Sequence, residues 1–361
     1  MSAERSLGAG TLALALCLAV TGCKDPDRYS KEFTQPYQLA GGKTLDPAAL
    51  NHGFEAFMLY CYGCHGEKGD GRGPSSMGMR PPPRNFHQGM FKFGGVAAGQ
   101  LPTDDALDRI IRRGLQGTPM LSWDIPVVER KYIIAYLKTL SPRWKEEEAG
   151  TPIEITADPW KGKEKDAIAR GSEVYHIAGQ DHAGCAGCHA SYATRQEISD
   201  WEKKVNGAPK EEFAEEMYRT SLRETGYALE TDEKGEPTKV VQQLPPDFLF
   251  HKVKTAYPVG STVDGRTYTA EMQREDLYRT IAAGVDGAAM PTWKGNVPEE
   301  NLWAMVYYVQ SLMEVRGKPE AYAMREKLEA QPRWTPPAPA PEPPKDEKGA
   351  PAPAPKGGGS R

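Results

Sequence analysis

Two short motifs constrain this chain more than any other feature: Cys61-Tyr62-Gly63-Cys64-His65 and Cys185-Ala186-Gly187-Cys188-His189. Cys-x-x-Cys-His is the attachment pattern of c-type haem. Two thiols three residues apart add to the two vinyl groups, and the adjoining His lies beneath the iron. Two other uses of CxxC fit poorly. A thioredoxin-like redox pair needs a βαβ setting, which neither motif has. One four-cysteine zinc site would have to close over the 121 residues from Cys64 to Cys185, far more than a zinc ribbon spans. In both, the adjoining His is left without a role. The sequence therefore predicts two covalently bound haem c groups. Cys61, Cys64, Cys185 and Cys188 are the attachment points, and His65 and His189 are axial iron ligands.

The other two cysteines lie near the start. One Arg (Arg5) precedes about 16 mostly apolar residues, Leu7 to Gly22, which reads as a secretory segment and is short for a membrane span. Leu18-Ala-Val-Thr-Gly-Cys23 resembles a bacterial lipobox. That resemblance implies cleavage before Cys23, a lipid on Cys23, and a location on the periplasmic side of a bacterial membrane. Cys17 then leaves with residues 1–22, and every remaining cysteine belongs to a CxxCH. Residues 23–45 are polar and read as a tether. Residues 332–361 are rich in proline and read as a disordered tail. Charge is nearly balanced, 45 Lys and Arg against 49 Asp and Glu, so nothing points to a nucleic-acid partner.

The chain repeats itself. The two CxxCH motifs are 124 residues apart. Pro82-Pro83-Arg84-Asn85-Phe86 is loosely echoed by Leu244-Pro245-Pro246-Asp247-Phe248. Gly114-x2-Gly117-x2-Met120-x2-Trp123 returns as Gly284-x2-Gly287-x2-Met290-x2-Trp293, at an offset of 170. The second copy thus carries 46 extra residues (170 − 124), which fall mostly in 190–243, where the charged spacing predicts an inserted helix or helix pair. Apolar residues at helical spacing flank each copy: Gly53 and Phe57 share a face with Cys61 leading into the first motif, and Ile133, Tyr136, Leu137 and Leu140 come after the first methionine. Met305, Tyr308, Val309 and Leu312 follow the second. Met120 and Met290 follow glycines in a shared register and are the expected sixth ligands. Met77, Met79, Met90, Met217 and Met272 are loop competitors, and His182 is a rival ligand in the second half.

With these motifs in view, both halves resemble class I cytochrome c domains. The first is similar to the haem subunits of caa3- and cbb3-type oxidases. The resemblance implies a mainly α fold of two tandem class I cytochrome c domains, the second with the insertion of about 46 residues. Its boundaries are 46–146 and 166–331, with a linker at 147–165. From the stretch Cys64-His-Gly-Glu-Lys-Gly-Asp-Gly-Arg-Gly-Pro74 it implies that the Pro74 carbonyl accepts the Nδ1–H of His65. Trp123 and Trp293, three residues after each methionine, are expected to pack over the haem edges. The second half has no Gly-Pro after His189, and its Gly171-x3-Tyr175 lies ten residues before Cys185, where Phe57 lies four before Cys61. The function expected is not enzymatic: a membrane-anchored diheme cytochrome moves single electrons between a quinol-oxidising complex and a terminal oxidase or reductase. The alternatives are a peroxidase-like or thiosulfate-oxidising diheme enzyme with one open haem, and a fixed haem subunit of a larger respiratory complex.

Overall fold

The computed structural model describes residues 32–231 and 237–337. Cys17, Cys23, the secretory segment and most of the proline-rich tail lie outside the described residues. In the first half, Tyr37–Gln38 (β1) pairs with Thr44–Leu45 (β2), ahead of helices α1 (Pro47–Tyr60), α2 (Tyr62–His65), α3 (Asp104–Arg113), α4 (Val127–Lys138) and α5 (Arg143–Glu146). The second half contains α6 (Glu164–His176), the hairpin β3 (Ala178–Gly179) with β4 (His182–Ala183), and α7 (Arg195–Asn206). The longer hairpin β5 (Arg223–Thr231) with β6 (Pro237–Gln243) follows, then β7 (Thr262–Val263) with β8 (Arg266–Thr267), α8 (Ala270–Ala283), α9 (Glu299–Glu314) and α10 (Pro319–Glu329). Among the described residues, every sheet has two antiparallel strands, and no helix is long and apolar enough to cross a membrane.

Each half is built on one close helix crossing. In α1, the Asp46 carboxylate takes the Ala48 and Ala49 N–H groups and Pro47 occupies the first turn, so the helix starts cleanly. It crosses α4 at Gly53, where a Cβ would overlap the Tyr132 carbonyl and lie 2.9 Å from Tyr136 Cβ. In the second half α6 crosses α9 at Gly171, where a Cβ would overlap the Ala304 carbonyl and lie 2.8 Å from Tyr308 Cβ. Phe57 with Tyr136, and Tyr175 with Tyr308, fill the space beside each crossing. The third helices match too. Thr103 and Thr269 cap α3 and α8, and Gly114 (φ 67°) and Gly284 (φ 76°) end them in a conformation that favours glycine.

Several expected boundaries change. The described part of the 23–45 segment packs: Phe33 bonds to Asn51 in both directions and meets Tyr136 edge-on, and Lys43 pairs with Glu148. The 147–165 linker is a strap, with Ile153, Ile155 and Trp160 against the second core and Thr156 bonded to Trp303 and Glu299. The start of the proline-rich tail is docked, because the Pro332 carbonyl accepts from Arg195 and Trp334 packs edge-on to Phe213. The insertion holds one helix, α7, and the β5–β6 hairpin, not a helix pair; Gly207 (φ 86°) ends α7.

The halves interlock. Asp286, in the second methionine loop, accepts the Phe91 N–H (2.8 Å) and the Gly99 N–H (3.0 Å) of the first half. Its own N–H donates to the Lys92 carbonyl. Arg113 at the end of α3 bridges to Asp264 and Asp276.

Candidate haem-binding centres

The first motif begins where α1 ends. The Cys61 N–H closes the last bond of α1, to the Phe57 carbonyl, and the His65 N–H donates to the Cys61 carbonyl (2.9 Å). One turn thus holds Cys61, Cys64 and His65 together. In the second half the six-residue displacement of the motif is the β3–β4 hairpin, inserted between α6 and Cys185. The turn itself is recovered, since the His189 N–H donates to the Cys185 carbonyl, also at 2.9 Å.

Both histidines are held alike. His65 Nδ1 lies 3.1 Å from the Arg84 carbonyl, and its ring stacks on Phe86 at 4.6 Å. His189 Nδ1 lies 3.0 Å from the Pro246 carbonyl, and its ring stacks on Phe248 at 5.1 Å. A carbonyl can only accept, so Nδ1 carries the proton and Nε2 is left with its lone pair. Burial lowers the pKa of both rings, opposed by those carbonyls, which keeps them neutral as a metal ligand must be. The expected acceptor for His65, Pro74, is corrected to Arg84. The segment around Pro74 serves the motif differently: Ser75 N–H donates to the Gly63 carbonyl, and Gly73 lies so close that a Cβ would overlap that oxygen.

Arg84, Phe86, Pro246 and Phe248 belong to the second repeat signal, to which the motifs alone give no role. The readable sign was register: the acceptor stands two residues before the phenylalanine in both halves.

Met120 and Met290 occupy equivalent turns. Each carbonyl accepts from the residue after the helix-ending glycine, Leu115 (2.8 Å) and Val285 (3.0 Å). Among the competitors, Met77 is 93% exposed, and Met217 packs in a small satellite cluster with Ile198 and Trp201. The two tryptophans differ. Trp293 packs on the second core and its N–H donates to Ala282, whereas Trp123 is half exposed, next to exposed Leu121, Val127 and Val128.

The remaining histidines are engaged elsewhere. His182 bonds to the Gln180 carbonyl and to Glu173. His176 Nδ1 meets the Ser172 carbonyl, and its Nε2 accepts the Tyr192 N–H. His251 accepts from Asp247, His87 bonds to Lys68, and His52 stacks on Tyr132.

The donor set fits covalently attached haem. Neutral imidazoles with free Nε2 stand one turn from paired thiols, and burial pushes the Cys61 and Cys185 thiols up to about 12. A zinc site would need thiolates, and among the described residues no three His, Cys, Asp or Glu side chains gather as one.

No protein-family model and no curated protein matches the chain. Among solved structures, it is similar to a chain of the Kuenenia stuttgartiensis reducing HAO-like protein complex, with a TM-score of 0.50 and 23% identity over 72% of this chain and 95% of that one. The likeness is one of fold. It overturns the expectation that this chain is not an enzyme. The same fold occurs inside a reducing HAO-like complex, so the architecture gives no ground for setting enzymatic work aside.

Proposed function

We propose that the chain is a diheme c-type cytochrome that passes single electrons within a redox assembly. Each half is read as a class I cytochrome c domain, with Cys61, Cys64 and His65 holding one haem and Cys185, Cys188 and His189 the other. Met120 and Met290 are the sixth ligands. A lipid on Cys23 ties the chain to the periplasmic face of a bacterial membrane. Its partners are respiratory redox complexes: a quinol-oxidising complex on one side, a terminal oxidase or reductase on the other. The likeness to a chain of a reducing HAO-like complex favours a subunit in stable contact with its partner over a diffusing carrier.

The observation that carries this reading is the doubled histidine centre. Two CxxCH turns, far apart in sequence, present a neutral imidazole with Nδ1 tied to a backbone carbonyl and one face covered by phenylalanine. A bound haem supplies one-electron chemistry at such a site. The chain fixes ring orientation through Arg84 and Pro246, excludes water with Phe86 and Phe248, and raises imidazole basicity through the carbonyl bond.

The test is to express the full chain with a cytochrome c maturation system, count haems by pyridine haemochrome, and titrate the visible spectrum against potential with and without carbon monoxide. Two haems per chain that both ignore carbon monoxide are expected. A single haem would end the diheme reading. A haem that binds carbon monoxide would remove its methionine from the ligand set and make that centre the place to look for substrate chemistry.

A further inference from the structure

Asp247 stands between the two residues that hold His189. Pro246 on one side supplies the carbonyl for Nδ1, and Phe248 on the other supplies the ring that stacks on the imidazole. Asp247 is buried, and both its carboxylate oxygens are engaged. Oδ1 accepts from the Leu249 N–H and from the Tyr192 hydroxyl, each at 3.1 Å, and Oδ2 accepts from the Arg325 guanidinium on α10. The Arg325 side chain is mostly buried too, with the Phe250 ring at 5.1 Å and the Tyr218 ring at 5.6 Å. Tyr192 braces the same segment, since its hydroxyl also accepts the Phe248 N–H at 2.7 Å. The turn ahead of α10 is tied there as well, through the Gly317 N–H and the Leu249 carbonyl.

The first half makes the same turn without a charge. Asn85 stands between Arg84 and Phe86, and its Oδ1 accepts the His87 N–H at 3.0 Å, as Asp247 does for Leu249. A neutral side chain is therefore enough to shape the segment. The helix that follows the first core, α5, sends Arg143 to the Gly89 and Gly99 carbonyls and to Glu147. Among the described residues, an ion pair at this position belongs to the second half alone. Charges held out of water are screened little, so both would act on an iron bound at His189.

We propose that Asp247 and Arg325 are a positioning pair for the second haem: the ion pair with α10 fixes the segment that orients His189, and its two charges set the potential of that haem independently of the first. The inference rests on the diheme reading and deepens it, because two halves built on one plan then carry haems whose potentials are adjusted separately. Both residues act through the surroundings of His189, and neither is an iron ligand.

The test uses the full haem-loaded chain in spectroelectrochemical titrations at pH 8, with Asp247→Asn, Arg325→Gln, Arg325→Lys and a double variant carrying Asp247→Asn and Arg325→Gln. Asp247→Asn installs the side chain of the first half's Asn85 and removes a negative charge, which favours the reduced iron. Arg325→Gln removes a positive charge, which favours the oxidised iron. The two are expected to move the potential of one haem in opposite directions, each by about three- to tenfold in the equilibrium constant for reduction, tenfold being about 59 mV for one electron. The double variant lies between them, Arg325→Lys stays near the parent, and the other haem keeps its potential throughout. A pair that only docked α10 gives a different result. Loosening the segment weakens the carbonyl bond to His189, and a less basic imidazole favours the reduced iron in every variant. Shifts of one sign, equal shifts of both haems, or no shift overturn the proposal. If Asp247→Asn yields no folded protein, the sign of Arg325→Gln decides, because loosening raises the potential and the lost charge lowers it. A parent chain with a haem count other than two would instead fail the underlying functional reading, which keeps the two failures apart.

Discussion

His176 shows how one residue can look like a ligand and work as a brace. Its ring stacks on Trp201 at 5.6 Å, meets Tyr175 and Tyr308 edge-on, and uses both nitrogens, donating to Ser172 and accepting from Tyr192. Accepting the Tyr192 N–H requires a neutral ring, and burial pulls its pKa from 6.5 to about 4. Between those values the unfolded chain binds the extra proton and the folded one does not, so stability falls as pH drops from about 6.5 towards 4. The full effect is about 3 kcal/mol. Urea midpoints at pH 7, 5.5 and 4 should show this slope in the parent and a flatter one in His176→Gln. Equal slopes would place the acid sensitivity elsewhere. Glu173 works in the opposite sense. Burial pushes its carboxyl up, but Lys204, His182 and Arg170 outweigh that and hold it below the usual carboxylate range. Its contribution is present near neutrality and lost only at more acid pH.

At the scale of elements, the crossings of α1 on α4 and α6 on α9 carry the two halves. Glycine is required there for close approach and not for backbone angle: a side chain would occupy the space of the opposing carbonyl, which is helix backbone and cannot move aside. Gly53→Ala is therefore expected to cost at least the roughly 1–3 kcal/mol of ordinary overpacking. Thermal unfolding of the haem-loaded protein should show it as a clearly lower midpoint. An unchanged midpoint would mean that the two helices can move apart at little cost. The helical spacing in α1, α4 and α9 was legible in the sequence, as was the shared register of glycine and methionine after α3 and α8. The insertion was legible only in length. Its charged stretch suggested helices, but Gly207 with Pro209 two residues on stops α7, and the strand pairing of Arg223–Thr231 with Pro237–Gln243 depends on the junction it covers.

For the whole molecule, the halves are joined by buried polar bonds that a flexible linker would not supply. Asp286 is 7% exposed and satisfies two N–H groups of the first half. Asp286→Ala strands both, at a cost of about 3 kcal/mol or more. Calorimetry of the haem-loaded chain should show one cooperative transition in the parent and two in the variant. A single transition at the parent temperature would remove Asp286 as the coupling residue.

The sequence by itself determined the haem motifs, the repeat and the glycine register ahead of each methionine. Each is written in residues close together along the chain, where covalent spacing and backbone angle do the work. The tertiary structure alone decided which carbonyl takes each histidine proton, which histidines are already engaged, and which charges share the junction. Those partners lie 19 residues from His65, 57 from His189, and well over a hundred apart where Phe91 meets Asp286. They are brought together by core packing, and no local spacing rule encodes such distances.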